Sequence, residues 1–337
     1  MPDPDGTALV DRRRLALALL AGSAFAIIVI GIASHGHTDR MIFGDGRMYR
    51  AVASDLDAND PTIQEFIRTR GTSLRYGRIG LPVLIWVASA GKTGAMPYAQ
   101  PAVLVAASAA IAGAASILIP RGSPLVALAP FAAVGLTVSL TGGFAEPVAI
   151  AASMWAVVAA RRDAPWTAAA FLSVAMLTRE NALAVLLGLV VWYSLRREHK
   201  RAVVLAASLV PVATWYAIVV ERFGHLPFLD PWLSQVSSSL GTPVFALWDP
   251  LTNRGIGSSL SVLAHLALAG FALTRWRTSD MGTVAAACGL SVLFLGYDVW
   301  RFIGDATRVS SLLEVFVVVI VVDRLTLRDS ARAAAAP

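Results

Sequence analysis

The feature that most constrains this chain is the recurrence of uncharged apolar runs long enough to matter to a bilayer. The hydrocarbon core is about 30 Å thick and takes about 20 apolar residues of helix to cross. Residues 15–34 form such a run directly behind Arg12, Arg13 and Arg14, and apolar stretches follow at about 98–119, 124–141, 144–160, 164–178, 181–195, 202–220, 258–275, 281–301 and 307–324. The first run is longer than the apolar part of a signal peptide and many others follow it, so it reads as a retained helix. In lipid every backbone N–H and C=O must be satisfied internally, which leaves helices for a pattern of this kind. The expectation is therefore all-α: a polytopic transmembrane helix bundle of about 10–11 spans. It is a single transmembrane domain over 1–337, with a structured first outer loop.

Composition agrees. The 337 residues are 56% hydrophobic and 15% charged, against roughly 45–50% and about 25% in soluble domains. The net charge of +6 does not point to nucleic acid, because the basic residues gather at helix ends, as the positive-inside rule requires. Arg12 to Arg14, Arg161 with Arg162, Arg196 with Arg197, Lys200 with Arg201, Arg275 with Arg277, and Arg324 with Arg328 fall on one side when the spans alternate. That side is read as cytoplasmic and holds both termini. Residues 35–78, Glu146, Arg179 with Glu180, 221–257 and the stretch 301–308 then fall outside. The alternation holds on one condition: residues 79–91, a short stretch with Pro82, do not cross as a full span. Cys288, the one cysteine, lies in an apolar run and reads as inert packing.

The long polar segments between spans are 35–78 and 221–257. In the first, Asp45 stands between Gly44 and Gly46. It reads either as an Asx-bonded turn or as a carboxylate held at the bilayer surface to accept a proton from a hydroxyl. Residues 47–57 and 61–68 carry apolar residues at helical spacing, as short helices lying in the interface or packed on the bundle. Arg75 and Arg78, three apart, share a helix face and suit either a phosphate, through forked hydrogen bonds, or lipid headgroups. Glu146, before Pro147, suits a helix first turn. Arg179-Glu180-Asn181 interrupts an apolar stretch, and Asp305 and Arg308 precede Glu314 within the last span, where a neighbouring Arg is one expected partner. Ionisable groups in or beside spans are costly, which makes them functional candidates. The histidines form no zinc constellation, and neither Ser89–Gly94 nor Gly255–Leu260 completes a phosphate-binding or dinucleotide motif.

In order along the chain, these residues resemble the GT-C superfamily of glycosyltransferases, multi-span enzymes that use a polyprenyl-phosphate sugar as donor. The resemblance rests on Asp45-Gly46-Arg47-Met48-Tyr49 after the first helix, and on Arg75-Tyr76-Gly77-Arg78 leading into Pro82. Thr178-Arg179-Glu180 and Arg308 at the entry to the last helix complete it. It covers most of the chain in architecture and a few dozen residues in detail. It implies that Asp45 is the catalytic carboxylate, as general base or as metal-binding acid, so a divalent cation is the one cofactor it allows. It further implies that Arg75, Arg78, Arg179 and Arg308 hold the lipid phosphate, and that Glu146, Glu180 and His225 contact sugar hydroxyls. Tyr49 belongs to the same substrate-binding set. The partners so implied are a polyprenyl-phosphate-linked sugar donor, a glycan or glycolipid acceptor of the cell envelope, and membrane lipid. Ala-rich, Arg-over-Lys usage points to a high-GC bacterium, whose cytoplasmic membrane would house the chain with its active site facing outside. The chain departs from the family in lacking a large soluble outer domain, which leaves the acceptor open. The rival reading is a transporter or flippase for a lipid-linked or anionic solute, which places ionisable residues and broken helices near the midplane.

Overall fold

The computed structural model describes residues 11–35, 37, 45–57, 59–61, 76–121, 123–224, 226, 256–295 and 303–335. Among them the chain is all-helical, a bundle with the stamp of a multi-pass membrane protein. Helix α1 (Arg12–Ser34) starts where the Asp11 carboxylate accepts from the N–H groups of Arg13 and Arg14, and stops at His35 in a left-handed conformation. Helix α2 (Asp45–Ser54) follows, then the nine-residue α3 (Gly80–Ala88). Helix α4 (Met96–Leu118) runs antiparallel to α1. The Arg14 guanidinium closes the far end of α4 by donating to the carbonyls of Ile119 (2.7 Å) and Pro120 (2.5 Å), acceptors that a helix C-terminus leaves open.

Small residues let α1 and α4 approach closely. A Cβ on Gly22 would lie 2.6 Å from the Ser108 carbonyl oxygen and 2.8 Å from Ala112 Cβ. The next pass is broken: a 3-10 segment (Pro124–Ala132) turns by 79° into α5 (Val134–Gly142). Pro130 supplies no N–H at the break, which weakens the helix there. Then come α6 (Glu146–Arg161), α7 (Pro165–Thr178), the turn Glu180–Ala182, α8 (Leu183–Leu195), α9 (His199–Ala206) and α10 (Leu209–Phe223). The last elements are α11 (Ile256–Leu273), α12 (Asp280–Val292), α13 (Ile303–Val309) and α14 (Ser311–Ala335). The core is packed by α1 on α4, α4 on α6, α6 on α7, α8 on α12 and α11 on α12.

Among the described residues four helices are long and apolar enough to cross a membrane: Arg12–Ser34, Thr93–Leu118, His199–Phe223 and Ile256–Leu273. A fifth joins them if the bent pair is one span. Pro165–Thr178, Glu180–Leu195 and Asp280–Val292 are apolar but shorter. Residues 79–91 hold only the short helix α3. Nine residues of helix rise about 13 Å, well short of a bilayer core. Arg78 before α3 and Gln100 after it both bond to groups at one end of the bundle, so the chain turns back rather than crossing.

Helix α2 covers 45–54, a little earlier than the expected 47–57. It packs on the bundle, with Tyr49, Val52 and Ala53 buried, rather than laying an apolar face in lipid.

Candidate functional site

Charged pairs gather at both ends of the bundle. At one end Arg161, closing α6, grips Asp280, opening α12, through two bonds of 2.6 Å. Arg201 reaches Asp163 at the same end (2.6 Å). The other end gathers most of the residues singled out from the sequence.

Glu146 opens α6 and is 2% exposed. Its position follows from local chemistry: Gly143 ends α5 in a left-handed conformation (φ 70°), which a residue with a Cβ adopts only under strain. The chain then turns through Phe144 and Ala145, and Pro147 sits in the first turn of α6, where no N–H is needed. Arg179 ends α7 in extended backbone and sends Nη2 to Glu146 Oε1 at 2.9 Å. Arg308, at the end of α13, brings Nε to the same oxygen at 3.3 Å. The Arg308 guanidinium lies 4.4 Å above the Phe144 ring and its Nη2 is 3.4 Å from Asp305 Oδ1. The side chains of Arg179 and Arg308 are 3% and 13% exposed. One carboxylate thus holds two buried guanidiniums, at a place reached by three separate passes of the chain.

Beside it, Arg78 forks onto Glu180, with Nε donating to Oε2 at 2.7 Å and Nη2 to Oε1. The Arg78 side chain is 7% exposed and that of Glu180 41%. Burial works to raise the Glu180 carboxyl, but the charges of Arg78 and Arg179 and the Arg78 hydrogen bond outweigh it, holding the group down at about 2. Asn181 ties this corner to the last helices by donating to the Val309 carbonyl at 2.8 Å. Gln100, buried in α4, donates from Nε2 to the carbonyls of Gly143 (2.8 Å) and Gly46 (3.2 Å).

Five of the expected site residues therefore meet: Arg78, Glu146, Arg179, Glu180 and Arg308. Asp45 begins α2, next to the Gly46 that Gln100 holds; its side chain lies outside the described residues, as do Arg75 and His225. Tyr49, expected among the substrate-binding residues, is 1% exposed and belongs to the main apolar core. Gln100 and Phe144 were missed by sequence reasoning. For Gln100 the available signal was a lone amide in the run from Met96 to Ile119.

Three guanidiniums stand here against the carboxylates of Glu146, Glu180 and Asp305, so the cluster is close to neutral. An entering phosphate would take the place of a carboxylate, and the half-exposed Glu180 and Asp305 are the ones solvent reaches. Among the described residues no three His, Cys, Asp or Glu could hold a metal. Glu146, Glu180 and Asp305 each lie against an arginine.

An apolar groove of about 420 Å³ opens immediately alongside, lined by Ile79 and Leu177 and by Pro211, Thr214, Trp215 and Ile218 of α10. Ile79 follows Arg78, and Leu177 precedes Thr178 and Arg179, so the groove shares its chain segments with the charged cluster.

No protein-family model matches the chain, and neither the curated proteins nor the solved structures give a match to it.

Proposed function

We propose that this chain is a membrane glycosyltransferase of GT-C type. It moves a sugar from a polyprenyl-phosphate donor to a cell-envelope acceptor at the outer face of the bacterial cytoplasmic membrane. The observation that carries the reading is the juxtaposition of buried arginines with an open apolar groove. A lipid-phosphate sugar is apolar along its tail and anionic at its head, and this end of the bundle offers a surface for each. Arg78, Arg179 and Arg308 present forked donors of the kind that suit phosphate oxygens.

In this reading Asp45 takes the proton from the acceptor hydroxyl. The hydroxyl oxygen attacks the anomeric carbon, the bond to the phosphate oxygen breaks, and configuration inverts. The electron pair leaves with the lipid phosphate, whose charge the arginines neutralise. A phosphate leaves readily, so the protein contributes chiefly position and electrostatics. Glu146 and Glu180 hold the arginines in place until substrate enters, and offer oxygen acceptors to sugar hydroxyls. The ten to eleven spans and the outward orientation of this end belong to the same proposal. They rest on the Lys and Arg clusters at the opposite end.

A second reading, a transporter or flippase for a lipid-linked or anionic solute, is favoured by one observation. The bent pass 124–142 is bonded at its break to an ionisable pair: Gly135 N–H donates to Glu314 Oε2 at 3.0 Å, and Glu314 Oε1 lies 3.1 Å from His265 Nε2. The partner of Glu314 is thus a histidine and not the arginine expected. Discontinuous helices with buried ionisable groups suit transport. The charged cluster at one end, beside a groove, favours the enzyme.

The test is transfer of labelled sugar from several polyprenyl-phosphate donors in membranes holding the wild type or Asp45→Asn. Product from the wild type, lost in the variant at equal protein level, supports the assignment. Equal product from both removes Asp45 from the mechanism. No product from either, with labelled lipid crossing sealed vesicles, favours the transporter.

A further inference from the structure

Gln100 is the lone amide in an apolar run, and the chemistry proposed above does not use it. It lies in α4, fully buried, one residue before Pro101. Its Nε2 has two hydrogens, and both are spent on carbonyls from different parts of the chain: Gly46 O at 3.2 Å and Gly143 O at 2.8 Å. Two carbonyl oxygens can only accept, so the amide nitrogen must be the atom that faces them. The orientation is fixed by chemistry, and the buried Oε1 points elsewhere, with no hydrogen-bond partner among the described residues.

Each of the two carbonyls has a particular place. Gly46 follows Asp45 in the first turn of α2, and α2 rests on the bundle by way of Tyr49, Val52 and Ala53. Gly143 is the left-handed cap of α5, followed by the Phe144 ring under Arg308 and then by Glu146. A buried carbonyl that loses its donor keeps the full cost of its desolvation. The Gly143 carbonyl, beyond the end of α5, depends on this amide for its donor, and the Gly46 carbonyl, which can also accept within α2, is tied by it to the bundle.

We infer that Gln100 is a positioning residue, a strut that fixes the Asp45 end of α2 against the Gly143–Glu146 turn. It sets the spacing between the first turn of α2 and the Glu146–Arg179–Arg308 cluster. The consequence for chemistry rests on the reading of Asp45 as the reacting group; the tie itself does not. A group displaced by about 1 Å can lower turnover about a hundredfold with binding little changed.

The test uses the full chain in nanodiscs with Gln100→Met, which keeps length and volume and removes both bonds. Gln100→Glu serves as a second variant that turns a carboxylate toward the two carbonyls. Amide hydrogen exchange is followed in 45–54 and 142–147, with 199–206 at the far end as the reference. Both variants are expected to exchange about tenfold faster in the first two segments and unchanged in the third. In the sugar-transfer assay kcat falls about tenfold or more, while KM for the donor stays within about twofold. Unchanged exchange in 45–54 or 142–147 overturns the strut, whatever the transfer assay gives. Faster exchange with unchanged kcat overturns its role in positioning. A wild type that transfers no sugar, with faster exchange in the variants, sinks the transferase reading and leaves the strut standing.

Discussion

The two ends of the bundle use the same residue types to opposite effect. At the Arg161 end the arginines are partly wet: the Arg161 side chain is 34% exposed and that of Arg201 36%, with Asp163 at 72%. The Arg201–Asp163 pair is of the exposed kind, which contributes about 0–1 kcal/mol; Asp280 is only 9% exposed, but the Arg161 it holds keeps a third of its side chain in solvent. At the Glu146 end Arg179 and Glu146 are almost completely buried and Arg308 nearly so. Burying charge costs several kcal/mol per ion, which pairing only partly offsets, and apolar residues of the same shape hold a fold as well or better. A latch explains the first end. The second is a poor way to stabilise a bundle, which is the physical reason to look for chemistry there.

This contrast can be broken by substitution. The largest effect is expected from Glu146→Ala, which leaves two guanidiniums at a buried site without their shared carboxylate. A loss of about 3–5 kcal/mol is expected, read as a large drop in melting temperature of the purified chain. A change of less than about 1 kcal/mol would place Glu146 with the exposed pairs instead.

A smaller effect is expected at Glu180, and it depends on pH. Its carboxyl sits at about 2 in the folded chain against an ordinary value of 4.5. A depressed carboxyl stabilises the fold above the unfolded value and loses that contribution as pH falls through the folded one. Glu180→Gln should therefore melt below the wild type at neutral pH, with the gap closing between about 4.5 and about 2. A gap independent of pH over that window would show that the Arg78 fork acts by shape alone. The smallest effect belongs to Arg201→Ala, expected to cost at most about 1 kcal/mol and to leave sugar transfer unchanged.

How much of this was legible in the sequence differs by residue. Glu146, Arg179, Glu180 and Arg308 stood out because ionisable groups are rare beside apolar spans, and they do meet. Their pairing was not legible, because it joins α6, α7 and α13 across long separations that no local pattern encodes. The bend at Ala133 was hidden in an evenly apolar run, although Pro130 was its visible cause. Gln100 escaped because an uncharged amide in a helix does not disturb hydropathy. His265 escaped likewise; its partner Glu314 is 49 residues away. The turning back of α3 was legible in part, since its short length and Pro82 argued against a crossing.

The most direct test of the account is to replace the buried cluster as a whole: Glu146→Leu with Arg179→Met and Arg308→Met, measured for both melting and sugar transfer. If the cluster exists for chemistry, the triple variant folds and melts at or above the wild-type temperature, because no buried charge is left stranded and Asp305, which loses Arg308, is half-exposed, and it transfers no sugar. A variant that transfers sugar at the wild-type rate would contradict the account at its centre.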